Sequence, residues 1–120
     1  MNNYFVKRRL EIVRPHNLLR VIRLRKVTLR CSKFPCSEIK GVLYQSGRSW
    51  VIEINTNYSH RECLVTLIHE VFHIILFEQK MDNPGLAQAY NDSVLNYTAR
   101  EFVRRYPYAT ACLWSQVRRK

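Results

Sequence analysis

The apolar positions change period along the chain, and each change marks an element. Residues 4–13 (Tyr-Phe-Val-Lys-Arg-Arg-Leu-Glu-Ile-Val) are β-prone and predict a short strand, which Arg14-Pro15-His16-Asn17 ends. From Leu18 to Lys26, the residues Leu18, Leu19, Ile22 and Leu24 fall among arginines at the spacing of a short amphipathic helix, with Arg20, Arg23 and Arg25 on its exposed side. Val27-Thr28-Leu29-Arg30-Cys31 alternates with period two, which predicts a strand with Val27, Leu29 and Cys31 facing inward. Two further β-prone runs, 41–45 and 48–55, flank Ser46-Gly47 and predict a hairpin. Its second arm should bury Trp50, Ile52 and Ile54 and turn Val51 and Glu53 outward.

After Thr56-Asn57-Tyr58 the period becomes helical. Ser59-x-x-Glu62 reads as a capping box, so a helix should start near His60 and run through His73 to about Glu78. It is apolar nearly all round (Leu64, Val65, Leu67, Ile68, Val71, Phe72, Ile74, Ile75, Leu76, Phe77), the pattern of a buried helix. Met81-Asp82-Asn83-Pro84-Gly85 ends it. A second helix, from Leu86 or Asn91 to Arg105, places Val94, Leu95, Thr98, Phe102 and Val103 at helical spacing, and Pro107 should stop it. The tail from Tyr108 is expected to add only a short turn around Ala111-Cys112-Leu113-Trp114, with Arg118-Arg119-Lys120 frayed. There is no internal repeat. Strands followed by helices in 120 residues predict one α+β domain: a small antiparallel or mixed sheet packed on the buried helix and on a second, C-terminal helix.

The buried helix contains His69-Glu70-x-x-His73. Histidines four apart lie one above the other on one helical face, so both imidazoles can reach a single Zn²⁺. Glu70 directly follows the first of them and is placed to act on water as a general base. Two histidines and a glutamate inside an apolar helix are costly unless paired or metal-bound, which favours the chemical reading over a chance match in a core helix.

A catalytic zinc keeps three protein ligands and one open position. Downstream acids that could supply the third are Glu78, Asp82, Asp92 and Glu101. Glu78 is rotated off the ligand face, and Asp82 sits in a turn too near the helix end to fold back easily. Asp92 and Glu101 belong to a separate helix that can pack against the first. Asp92 is preferred, because Glu101 is surrounded by Arg100, Arg104 and Arg105 and suits a solvated ion pair. A helix cap is the plain alternative for Asp92.

The sheet, the capped helix with Leu67-x-His69-Glu70-x-x-His73-x-x-Leu76, and the acid-led second helix together resemble the zincin metallopeptidases. More narrowly, Ile52-Glu53-Ile54-Asn55 and Thr66 to Glu78 are similar to the small phage- and mobile-element-type members of the ImmA/IrrE family, over roughly residues 41–105. That resemblance implies a minimal zincin-like fold and a cytoplasmic, zinc-dependent endopeptidase acting on a protein or peptide, such as a DNA-associated regulator. It also implies zinc ligands at His69 and His73 and a general base at Glu70. Three departures stand out. Asp92 replaces the family's usual Glu, Phe72 replaces a frequent Gly and is expected to narrow the cleft beside the metal, and the Glu-Ala-Asn-x-Phe-Ala block is absent. A metzincin would need Gly at 76 and His at 79, where this chain has Leu76 and Gln79, and a thermolysin-like second helix is also missing. Trp50–Asn55 is the expected edge for an added peptide strand. His60, Tyr90, Tyr97 and Arg100 are possible oxyanion donors.

Charge adds a second reading. Residues 1–48 hold twelve Lys/Arg and two acids, whereas residues 49–120 hold eight Lys/Arg and seven acids, so the net +11 lies almost wholly in the first part. The chain thus divides into a basic part, 1–40, and a metallopeptidase core, 41–105. Such a field favours nucleic acid or another polyanion, with Arg20, Arg23, Arg25, Lys26 and Arg30 as phosphate contacts. The alternative function is therefore a nucleic-acid- or partner-binding module on a catalytically inactive core. No apolar run approaches the roughly 18 residues of a membrane span, so no membrane partner is expected. The first nine residues lack the apolar stretch of a secretory signal, and cytoplasm is the expected location. In that compartment Cys31, Cys36, Cys63 and Cys112 read as thiols, and Cys31-x4-Cys36 lacks the second ligand pair of a structural zinc site.

Overall fold

The computed structural model describes the backbone of Leu18, Arg20, Ile22, Arg23, residues 26–82 and residues 92–118, with side chains at all of these except 78–82, 92 and 118. The strand expected at 4–13, Arg25, Tyr90 and the breaker cluster 83–85 lie outside the described residues. Leu18, Arg20, Ile22 and Arg23 are helical, with Leu18 and Ile22 buried and the two arginines exposed. The chain then turns at Lys26, whose φ of 49° is left-handed, into the first strand.

Three strands form one mixed sheet: β1 (Val27–Ser32), β2 (Gly41–Ser46) and β3 (Ser49–Asn55). The order is β1-β3-β2, with β1 parallel and β2 antiparallel to β3. The hairpin turn is Gly47-Arg48, one residue later than the sequence suggests. Gly47 takes φ +64°, as the first residue of a two-residue turn of the hairpin type requires. Because β3 is central, both its edges are hydrogen-bonded. It therefore cannot be the edge that accepts a peptide, and among the described strands the outer edges belong to β1 and β2. The same position buries Val51, which alternation alone would expose: Thr28 and Tyr44 flank it in register on the face away from the helices.

On the other face, Val27, Leu29, Trp50, Ile52 and Ile54 form one core with three helices, α1 (His60–Asp82), α2 (Asp92–Arg105) and α3 (Pro107–Arg118). Ser59 caps α1, its Oγ accepting from the Glu62 amide at 3.2 Å. The helix runs on to Asp82 rather than stopping near Glu78. Pro107 does end α2, but it also begins α3. Proline suits a first helical turn, where its missing N–H has no intrahelical partner anyway. Thr110, Leu113 and Val117 then recur every three to four residues and are fully buried, so the tail is a packed helix against β1 and α1, not a frayed turn. None of the described helices is long and apolar enough to cross a membrane.

At the end of the sheet where β1 and β3 finish, Asn55 is fully buried and ties down the loop 33–40. Its Oδ1 accepts from the amides of Phe34 (3.1 Å) and Asn57 (3.0 Å), and its Nδ2 donates to the carbonyls of Cys36 (3.2 Å) and Ile39 (2.9 Å).

Candidate metal centre

One face of α1 carries Glu62, Thr66, His69, Glu70 and His73, spaced so that successive side chains climb the helix toward its middle. The Nε2 atoms of His69 and His73 lie 3.0 Å apart, and Glu70 Oε1 is 3.8 Å from His69 Nε2. Among the described residues, His69, Glu70 and His73 are the one group of three or more ligand-type side chains within 4.8 Å of one another. Glu70 is buried and both histidines are half-buried, so the cluster faces a partly dry surface.

The donor set fits zinc. Two nitrogens held at roughly 2.0–2.1 Å from one tetrahedral ion stand about 3.3 Å apart, close to the spacing of these imidazoles. The flanking carboxylate is near enough to act on water without itself being needed as a ligand.

β2 comes close to this cluster at Gly41. A Cβ placed on Gly41 would lie 2.5 Å from Thr66 Cγ2, 3.2 Å from the Glu53 carbonyl oxygen and 4.0 Å from Glu70 Cγ. Glycine is thus what lets β2 come down onto the His69–Glu70–His73 face of α1. A lone glycine opening a β-prone run was the only sequence signal for this approach.

Beside the cluster, three elements meet at Glu62. Arg100 of α2 donates to Glu62 Oε2 at 2.6 Å and to Oε1 at 2.7 Å, and Lys40 donates to Oε1 at 3.1 Å. The Arg100 guanidinium first, then Lys40, hold the Glu62 carboxyl down to about 2 against the opposing effect of its partial burial. Sequence reasoning placed Glu62 in a capping box. Its carboxylate instead spans to other elements, a partnership with residues 22 and 38 positions away that no local pattern encodes.

The other residues singled out by sequence are distributed as follows. Asp92 is the first residue of α2, three before Leu95, in step with Leu95, Ala99 and Phe102, which are buried. Its side chain is outside the described residues, as is that of Asp82. Glu101 is paired with Arg104 at 2.7 Å, the ion pair expected of it. Phe72 does not narrow the cleft. It is 2% exposed and packs edge-on against Phe102 at 6.2 Å between ring centres, on the side of α1 that holds α2. Of the possible oxyanion donors, Arg100 is engaged by Glu62, His60 lies edge-on to Trp114, and Tyr97 is 63% exposed. Arg20, Arg23, Lys26 and Arg30 are all exposed, and Arg30 stands opposite Glu53 on the outer sheet face. Cys31 is half-buried, Cys36 and Cys112 are exposed and Cys63 is buried, with no disulfide among the four.

Comparison with protein-family models, with curated proteins and with solved structures finds no match to this chain.

Proposed function

We propose that this chain is a zinc-dependent endopeptidase of zincin type, similar in its core to the ImmA/IrrE family. The observation that carries the reading is the convergence of two imidazole nitrogens 3.0 Å apart with a buried carboxylate 3.8 Å from one of them. His69 and His73 would hold the zinc, with Asp92 as third ligand, and the ion would supply Lewis acidity that polarises a scissile carbonyl and makes water more acidic.

The chain's own residues do the rest. Glu70 Oε1 accepts a proton from the attacking water and returns it to the leaving amine nitrogen as the peptide C–N bond breaks. The substrate lies extended along the outer edge of β2, where Gly41 brings the backbone beside Glu70, and main-chain hydrogen bonds hold it as an added strand. The partly dry surroundings strengthen the pull of Glu70 on that proton. A protein or peptide substrate is the class such an edge selects.

Purified protein should contain about one equivalent of zinc and should cleave members of a mixed peptide library. Glu70→Gln should keep the zinc and lose cleavage by about three orders of magnitude or more, the scale of a lost general base together with its proton return. Undiminished cleavage in Glu70→Gln would sink the mechanism, and a wild type that takes up no zinc would sink the centre itself.

A further inference from the structure

The end of the sheet opposite Asn55 gathers positive charge from segments distant in sequence. Because β1 runs parallel to β3, both strands begin at the same end, and the residues preceding each are brought together. Lys26 precedes β1 and its carbonyl accepts from the Trp50 amide at 3.3 Å. Arg48, in the hairpin turn, is the residue just before β3, the strand that neighbours β1. Arg23 lies three residues before Lys26, and Arg20 is one helical turn earlier. All four side chains are exposed.

Among the residues whose side chains are described, no acid stands at this end. Glu38 is in the loop at the far end, and Glu62 is held there by Lys40 and Arg100. Glu53 is in mid-strand, accepting from the Tyr44 hydroxyl at 2.8 Å. Glu70 is in the metal cluster. Glu101 adjoins Arg100 and is bound by Arg104. The side chains of Glu78, Lys80, Asp82 and Asp92 lie outside the described residues.

We infer that this end of the sheet is a nucleic-acid docking surface that grips the phosphate backbone. Four cations spread over a helix, a turn and a hairpin, without a buried cradle, match a repeating polyanion better than one small phosphate. Three of the four are arginines, whose planar donors engage phosphate oxygens in pairs. An anionic membrane fits less well: among the described residues the exposed apolar side chain at this end is Phe77, which is engaged edge-on with Trp50 at 5.3 Å. That same contact sets the basic end about one helical turn beyond His73, so a bound nucleic acid would lie beside the His69–Glu70–His73 face. The docking surface does not depend on the peptidase reading.

The test is fluorescence anisotropy of a labelled 20-base-pair DNA duplex with the full chain, titrated between 50 and 300 mM salt. The variant Arg20→Gln/Arg23→Gln/Lys26→Gln/Arg48→Gln should flatten the slope of log affinity on log salt by roughly three and weaken binding more than about tenfold at 0.1 M salt. The two half-sets, Arg20→Gln/Arg23→Gln and Lys26→Gln/Arg48→Gln, should each produce about half that change. They keep the question open to refutation if the fourfold variant folds poorly. A control with the same loss of charge, Lys33→Gln/Arg61→Gln/Arg104→Gln/Arg105→Gln, should bind nearly as the wild type does. Equal weakening in both fourfold variants would overturn the surface in favour of net charge alone. So would a wild type that ignores the duplex but binds phosphatidylserine vesicles through the same four residues.

Discussion

Arg100 grips both carboxylate oxygens of Glu62, joining the first turn of α1 to the middle of α2 across 38 residues of sequence. Lys40 adds a third contact from just before β2, so one carboxylate fixes the three elements that frame the His69–Glu70–His73 face. The Glu62 carboxyl titrates near 2 in the folded chain against 4.5 as its ordinary value. A carboxyl whose folded pKa is depressed contributes stability above its unfolded pKa and loses it as pH falls toward the folded one. Taken whole, the shift would be worth about 3 kcal/mol, but the Arg100 side chain is 45% exposed and solvent screening reduces this to about 1 kcal/mol. Urea denaturation at pH 5 and pH 2.5 should show the wild type losing about 1 kcal/mol more than Glu62→Gln across that interval. Arg100→Met should remove most of the difference.

The approach of β2 to α1 depends on the missing side chain of Gly41. In Gly41→Ala the new methyl would meet Thr66 Cγ2 at 2.5 Å and backbone at 3.2 Å, so strand and helix must separate. Overpacking of this kind costs about 1–3 kcal/mol. Thr66→Ser deletes the clashing methyl while keeping the hydroxyl that donates to the Glu62 carbonyl at 2.8 Å. The double variant should therefore recover at least half of the stability lost by Gly41→Ala, measured by thermal melting. If the double variant melts no higher than the single one, the close contact lies elsewhere.

The elements that sequence made legible were those with a single strong period. The alternation in 27–31, the hairpin around Gly47 and the capped apolar run from His60 each determined an element because local preference and tertiary burial agree there. His69, Glu70 and His73 were legible for the same reason: their spacing alone puts them on one face. What failed were properties of partnership between segments. Nothing in Trp50–Asn55 says that a second strand covers its other edge, because strand order is decided by β1 adding in parallel. Phe72 takes the place of a glycine frequent in the ImmA/IrrE motif, which suggests bulk beside the metal, but its position on the helix turns it toward Phe102. Pro107 carries a stop signal and a start signal at once, and only the burial of Leu113 and Val117 distinguishes them. The Lys40–Glu62–Arg100 contact joins three separate segments and left no local trace.

Asn55 should be the most sensitive polar residue of the sheet. Fully buried, it satisfies two amides and two carbonyls of its own turn and of the loop 33–40. Asn55→Ala leaves four backbone groups to find water, a loss of about 2–4 kcal/mol. Asn55→Asp keeps the shape and the two accepted bonds but turns an oxygen toward the Cys36 and Ile39 carbonyls, and should be no milder. Hydrogen exchange should quicken at Phe34 and Asn57 in both variants, while the amides in the middle of α1 keep most of their protection. Uniform loss of protection over the chain would mean that Asn55 holds the whole core rather than the loop.

The third ligand of the proposed zinc can be decided by thermodynamic linkage, independently of catalysis. A ligand that binds only the folded chain raises its stability by about 2.7 kcal/mol at a hundredfold excess over Kd. Zinc should therefore raise the melting temperature of the wild type by several degrees, and EDTA should reverse the rise. His69→Ala and His73→Ala each remove a nitrogen and should abolish the shift. Asp92 opens α2 in step with its buried stripe, whereas Glu101 already has Arg104 as its partner at 2.7 Å. Asp92→Asn should thus weaken zinc binding about tenfold to a hundredfold by isothermal titration, while Glu101→Gln leaves it within about twofold, since one unit in log Kd corresponds to about 1.4 kcal/mol. If Asp92→Asn binds zinc as the wild type does and Glu101→Gln does not, the Glu101–Arg104 pair must open to reach the metal, and the assignment passes to Glu101.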